Sequence, residues 1–291
     1  MILITGATGN VGRELTRLLQ VDDLDFRIMT RDPEKCEKLR EAGFDAISGD
    51  YDNLKSLVSA LKKVDKMFML SPADPGMVER QTMLLEAAKK AKVKHLVKLS
   101  CVGAHPEAPD RFSRLHGEIE EKIVESGVNF TNLRPHYSMQ NLLMFATTIS
   151  YEGIFCAPMR DGRIGIVDAR DVAQVAATIL KEDFHGGTTY ELTGPEALSF
   201  YDMSEILSAV RKRRVTYMDI TSEKARVGML RSNTPEWLID AIMEQYEVFS
   251  AGQADQITDH IERITGHRPR GFHEFAVDYA DFFAKRKMEE S

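Results

Sequence analysis

The chain has 291 residues, with 38 Lys and Arg against 45 Asp and Glu, for a formal net charge of -7. At roughly 150 residues per domain this gives one large domain or two, long enough to bury a core without disulfide or metal staples. A hydrophobic share of 43% and a charged share of 29% exclude extended disorder, and the acidic balance argues against a duplex nucleic-acid partner, which needs a basic face.

Taken in order, Met1–Thr5 is a run of β-formers ending in a glycine-rich turn, after which Val11, Leu15, Leu18 and Leu19 recur at helical spacing. Phe26–Thr30 reads as a strand and Asp32–Ala42 as a helix closed by Gly43. Asp45–Ser48 is a third strand, followed by a helix marked by Leu54, Leu57, Val58 and Leu61. Strands at Lys66–Leu70, His95–Ser100 and Phe130–Leu133 alternate with helices at Met77–Ala91 and Arg114–Ser126, the latter stopped by Gly127. This alternation predicts an α/β fold: a Rossmann-type doubly wound parallel sheet covered on both faces. From Thr193 onward strand signals thin out, and helices are expected at Tyr201–Arg211, Pro235–Ser250 and Asp255–Thr265. The expected division is a nucleotide-binding lobe at 1–150, rejoined by 164–192 through a helix at Asp168–Lys181, and a smaller, mostly helical C-terminal lobe at 193–291. The basic run Arg211–Arg214 suits a helix end, and the charged Lys285–Ser291 is expected to fray.

Cys36, Cys101 and Cys156 are odd in number, far apart and without a Cys-x-x-Cys pair, so they read as free thiols of a reducing compartment. The apolar start breaks at Thr5-Gly6, too short for a signal peptide or a membrane span; a cytoplasmic protein is expected. The eight histidines show no metal-ligand spacing, and His267 and His273 read as surface residues.

Gly6-Ala7-Thr8-Gly9-Asn10-Val11-Gly12 lies directly between a strand and a helix. Here the first glycine turns off the strand and the second lets backbone amides approach a pyrophosphate. The third permits close helix–sheet packing, and the helix N-terminus offers unpaired donors and a positive dipole. At the end of the second strand, Arg31 and Lys35 suit the 2′-phosphate of NADP(H), favouring it over NAD(H), although Asp32 keeps NAD(H) open and Arg31 could simply face solvent. Asp50 suits either an adenine amino group or the N-cap of the next helix. Ser71 and Pro72 are expected under the middle of the nucleotide and Ser100 near it. Cys101 reads as a small buried cysteine in preference to a redox-sensitive thiol.

These residues resemble the NmrA-like branch of the short-chain dehydrogenase/reductase superfamily. The resemblance extends through Leu133-Arg134-Pro135 with Asn141, Asp168-Ala169-Arg170-Asp171-Val172-Ala173, Leu192-Thr193-Gly194-Pro195 and Pro269–Phe275. It implies a Rossmann lobe, a small C-terminal lobe and a cleft, with reduction of quinone or azo acceptors by NAD(P)H. Some members of the family only bind the nucleotide and act as redox sensors for a partner protein. The superfamily's Tyr-x-x-x-Lys dyad falls here on Phe112 and His116. Phenylalanine cannot donate a proton, which disfavours a tyrosine-driven alcohol dehydrogenase. His116 could bond the nicotinamide ribose or relay a proton, or could be an ordinary helix histidine. A flat, electron-poor acceptor can still take hydride while solvent supplies protons. The stretch from Pro135 to Asn141 is expected beside the nicotinamide, with Tyr137 to stack on or donate to the acceptor and His136 as an alternative donor; either could instead be packing. Phe145, Phe155 and Met159 read as an apolar wall or as core. The expected partner is a small-molecule electron acceptor, with a regulatory protein as the alternative; no direct nucleic-acid contact and no membrane are expected, and monomer and homodimer both stay open.

Overall fold

The computed structural model describes residues 1–284, so the charged end Lys285–Ser291 lies outside the described residues. In chain order the elements are β1 (Ile2–Thr5), α1 (Asn10–Val21), β2 (Phe26–Thr30), α2 (Pro33–Glu41), β3 (Ala46–Ser48), α3 (Leu54–Ala60), β4 (Lys66–Met69), α4 (Met77–Ala91), β5 (His95–Leu99), α5 (Arg111–Ser126) and β6 (Phe130–Pro135). A 3₁₀ turn at Met139–Phe145 follows, then α6 (Ala146–Glu152), β7 (Ile154–Ala157), α7 (Ala169–Lys181), β8 (Thr188–Leu192), α8 (Phe200–Arg211) and β9 (Thr216–Asp219). The remaining helices are α9 (Ser222–Arg231), α10 (Glu236–Ser250), α11 (His260–Thr265), α12 (Phe272–Asp278) and α13 (Ala280–Phe283).

The chain forms two compact units. The first comprises Met1–Pro135, Ala169–Leu192 and Arg263–Gly266; the second comprises His136–Asp168, Thr193–Glu262 and the chain from His267 on. The first unit therefore leaves off at Pro135, not at 150, and resumes at Ala169, not at 164.

In the first unit a seven-stranded sheet runs in the order β3-β2-β1-β4-β5-β6-β8, and every pairing is parallel. This is a Rossmann fold. Helices cover both faces of such a sheet, so β1 and β5 bury every residue. Local chemistry sets the helix ends. Asp32 caps α2 by accepting from the Glu34 and Lys35 amides, with Pro33 in the first turn. Gly127 closes α5 at φ 71°, a left-handed conformation that costs glycine little. The order reverses between β1 and β4, and a doubly wound sheet opens its ligand crevice beyond the strand ends at that switch. Thr5 bolts the two strands together there: its hydroxyl donates to the Leu70 carbonyl at 2.7 Å and accepts from the Leu70 amide at 2.8 Å.

The second unit has its own apolar core. Phe155, Phe200 and Tyr217 pack ring on ring at 5.4 to 5.6 Å between centroids, with Met159, Tyr246 and Phe275 also buried in this core. It contains a parallel pair, β7 with β9, which the thinning strand signal missed. Strand β8 of the first unit was missed as well. The expected helix at Asp255–Thr265 begins only at His260, and α9 was not expected.

Candidate functional site

The turn between β1 and α1 is built by its three glycines in different ways. Gly6 has φ 70°, and a Cβ there would stand 2.7 Å from Leu70 Cγ. At Gly12 a Cβ would stand 2.2 Å from the Gly6 carbonyl oxygen, so only glycine lets α1 start this close to the turn. At Gly9 a Cβ would meet nothing nearer than that same carbonyl at 3.5 Å. The space in front of Gly9 is therefore open. Gly9 is the N-cap of α1 without a side-chain cap bond, and the first helical bond runs from Arg13 back to the Gly9 carbonyl at 2.9 Å. The amides of Asn10, Val11 and Gly12 thus head the helix ahead of that first bond.

Beside this turn lies a cavity of about 170 Å³, lined among others by Gly6, Thr8, Arg31, Lys35, Tyr51 and Arg80. Arg31 and Lys35 are exposed. Asp32 is occupied by its capping bonds, at 2.9 and 3.3 Å. Pro72 also lines the cavity, and its carbonyl accepts from Arg80 at 3.1 Å. The other guanidinium bond of Arg80, at 2.7 Å, goes to Asp74, and its Nε is buried without a partner among the described residues. Burial pushes the Tyr51 phenol up, while Thr5, Arg80 and Arg31 hold it back. Tyr51 and Arg80 were missed by sequence reasoning. Neither stands in the glycine motif; Arg80 could have been suspected as the cation of the first helical turns after β4, at the switch point.

Asp50 and Ser71 do not line this cavity. Asp50 is exposed and accepts from the Asp52 amide at 3.0 Å, and the helix cap it might have supplied is made by Asn53. Ser71 is buried and accepts from Gln81 at 2.9 Å. Ser100 and Pro135 lie at the ends of β5 and β6. The buried Ser100 hydroxyl donates to Glu120, and the Pro135 carbonyl accepts from the Val102 amide at 3.0 Å.

Beyond β5, α5 carries Phe112 and His116, the two residues on which the superfamily dyad is expected to fall. Phe112 is half-buried and offers no proton. His116, one turn later, is also half-buried. Its Nδ1 lies 2.8 Å from Nζ of Lys98, a β5 residue with 0% exposure. Burial, then Lys98 and Arg134, hold the imidazole well below its ordinary 6.5. Burial also lowers Lys98, to about 8, against the pull of Glu120. Glu120 grips Arg134 through two bonds, at 3.1 and 2.5 Å. Burial pushes the Cys101 thiol up to about 12, so it stays protonated, as a packing cysteine does.

Tyr137 belongs to the second unit and is 9% exposed, its ring edge-on to Phe249 at 5.6 Å. Burial, then Tyr246, push its phenol well above the usual range, while Asn141 opposes them. It is a hydrogen-bonding phenol and a poor acid. His136 is buried; its Nδ1 accepts from the Tyr137 amide at 2.8 Å, and burial lowers it to about 4. Phe155 and Met159 are core residues, and Phe145 packs against that core.

His267 and His273 are exposed. Among the described residues no group of His, Cys, Asp and Glu could hold a metal ion, and no helix is long and apolar enough to cross a membrane.

The fold has a wide match. A model of the NmrA-like family matches residues 1–282. The chain belongs to the NmrA-like family. Within it, this chain is 38% identical over 283 residues to an NAD(P)H azoreductase of Xenophilus azovorans, covering 97% of this chain and 99% of that protein. It is 33% identical to a (4-alkanoyl-5-oxo-2,5-dihydrofuran-3-yl)methyl phosphate reductase of Streptomyces griseus, with 98% and 99% covered. Among solved structures, the NADPH complex of an NADPH-dependent quinone oxidoreductase from Escherichia coli superposes with a TM-score of 0.88 at 26% identity, covering 96% of this NmrA-like chain and 100% of the other.

Proposed function

We propose that this chain is an NAD(P)H-dependent reductase that passes hydride to a quinone-like or azo-type acceptor, with NADP(H) favoured over NAD(H). One observation carries the reading: the glycine turn, through Gly6, Ala7 and Thr8, lines a cavity edged by Arg31 and Lys35, in a chain that is 38% identical to a named NAD(P)H azoreductase. A dinucleotide fits these residues. Its pyrophosphate would take the amides of Asn10, Val11 and Gly12, and Arg31 with Lys35 would take a 2′-phosphate by charge-assisted bonds.

When bound, the nicotinamide supplies the hydride. The chain's own part is to hold and orient. Phe112 removes the acid of the superfamily dyad, so protonation of the reduced acceptor falls to solvent, which suits acceptors that accumulate charge on oxygen or nitrogen. In this reading His116 bonds the ribose as a neutral donor, and Tyr137 contacts the acceptor as an aromatic face or a donor. The partner is a small-molecule electron acceptor.

The test is a paired one: titrate NADPH and NADH, then follow NADPH consumption with a panel of quinones and azo dyes on the same protein. Tight binding with acceptor-dependent consumption is expected. Tight binding with no turnover by any acceptor would overturn the reductase and leave a nucleotide-sensing regulator, which must distinguish NADP from NADPH to switch anything.

A further inference from the structure

Lys98 is a β5 side chain that neither the motif nor the proposed chemistry uses. It is wholly buried in the middle of the sheet. Its Nζ donates to the Leu99 carbonyl at 2.9 Å and meets His116 Nδ1 at 2.8 Å. An ammonium has donors and no acceptor, so Nδ1 must be the accepting nitrogen of that contact, and the proton of a neutral imidazole then sits on Nε2. Both neighbours of His116 that affect its charge, Lys98 and Arg134, are cations, and they disfavour an imidazolium. Left alone, a histidine at neutral pH divides between two tautomers and a cation. Here the surroundings leave one form.

We propose that Lys98 is a positioning residue that fixes His116 as the neutral Nε2–H tautomer, so that the site owns an uncharged hydrogen-bond donor for an oxygen of the bound nucleotide's ribose. The choice of ribose as the recipient rests on the function proposed above; the tautomer lock does not. The groups that face Lys98 are His116 and Glu120 of α5 and Cys101 of the turn after β5. Glu120 is also held by Ser100 and Arg134, and the Cys101 thiol stays protonated. Lys98 is therefore the group whose titration matters above neutrality. Once it becomes an amine it can accept as well as donate, and the lock opens as pH rises through about 8.

The experiment is long-range ¹H–¹⁵N correlation NMR of the full chain, with His116 assigned through His116→Gln, followed by steady-state kinetics over pH. In the unaltered protein His116 should show an unprotonated Nδ1 and a protonated Nε2 from about pH 5 to 7, with the second tautomer growing in above about 8. Lys98→Met should mix the tautomers at neutral pH and return the imidazole toward ordinary titration. Lys98→Arg, still a donor-only cation, should restore Nε2–H. With an active acceptor, Lys98→Met should lower kcat about tenfold, with a smaller change in the nucleotide KM, and should erase the alkaline limb. An imidazolium or an Nδ1–H form in the unaltered protein at neutral pH would overturn the proposal. So would a Lys98→Met protein with unchanged tautomer and pH profile. If Lys98→Met does not fold, the spectrum of the unaltered protein across pH decides alone. Failure to turn over any acceptor would sink the reductase reading and leave the tautomer result standing.

Discussion

Two polar regions of the first unit use similar side chains to opposite ends. At the mouth beside β1 and β2, Arg31 and Lys35 are exposed, and the Lys35–Asp32 pair is loose at 3.9 Å with side-chain exposures of 60% and 45%. Under β5 and β6, Arg134 and Glu120 meet at 2.5 Å with exposures of 23% and 9%. Water screens the first set to a fraction of a kcal/mol per pair, so its cations remain available to an arriving anion. The second set has lost most of that water. Glu120 holds Arg134 through two bonds, and burial lowers the neighbouring Lys98 and His116. On the proposed reading, a charge at the mouth serves a ligand and a charge in the interior sets the state of another residue.

Acid separates the two regions most sharply. The Thr131 hydroxyl gives its proton to the His185 carbonyl at 2.7 Å, so the buried His95 Nε2 must donate to Thr131 at 2.8 Å. Burial, then Lys66, lower the imidazole from 6.5 to about 4. Below its ordinary value the unfolded chain takes up a proton that the folded chain refuses. Stability is therefore full above about 6.5 and falls as the pH drops toward about 4, by about 3 kcal/mol for this one group. Urea unfolding at pH 7 and pH 5 should show the loss, and His95→Gln, which keeps a donor for Thr131, should lose less between the two. Equal losses in both proteins would mean that the interior does not hold His95 neutral.

Glu120→Gln probes the interior by charge alone. The amide keeps the shape and one acceptor oxygen but leaves Arg134 without its carboxylate, and Ser100 must share what remains. A destabilisation of about 2 kcal/mol is expected, below the cost of stripping a fully buried pair because Arg134 reaches partial solvent. The urea midpoint should fall at constant slope. An unchanged midpoint would place this pair with the screened ones at the mouth and erase the contrast.

How far each region could be read from sequence follows the same division. The mouth was legible because its requirements are local: Gly6, Gly9 and Gly12 at fixed spacing after a strand, and Arg31 and Lys35 right after the next one. The parallel sheet covered by helices followed from the alternation of elements. The interior was not legible, because Lys98 sits in a strand pattern where a lysine reads as a solvated side chain, and its meeting with His116 joins residues 18 apart through packing. Tyr51 and Arg80 were missed for that reason too. Asp50 matched the family pattern and Ser100 was expected near the nucleotide, yet a turn bond and a buried carboxylate hold their side chains. In the second unit, β7 and β9 are only four residues each, too short for period-two alternation to stand out from an aromatic core.

Arg31→Ala gives the smallest effect and the finest test of the mouth. The guanidinium is exposed and lines the cavity without an ion pair among the described residues, so its removal should cost the fold almost nothing. Any loss must therefore appear on the ligand. A 2′-phosphate brings charge that a 2′-hydroxyl lacks, so NADPH affinity should drop about tenfold and NADH affinity hardly at all. Lys35, one helical turn on and already near Asp32, should retain part of the preference. Equal losses for the two nucleotides would remove Arg31 from the 2′-phosphate and make the mouth's cations a general attraction for anions. A selective loss with unchanged urea stability would establish that charge here serves the ligand, while charge under β5 serves the protein.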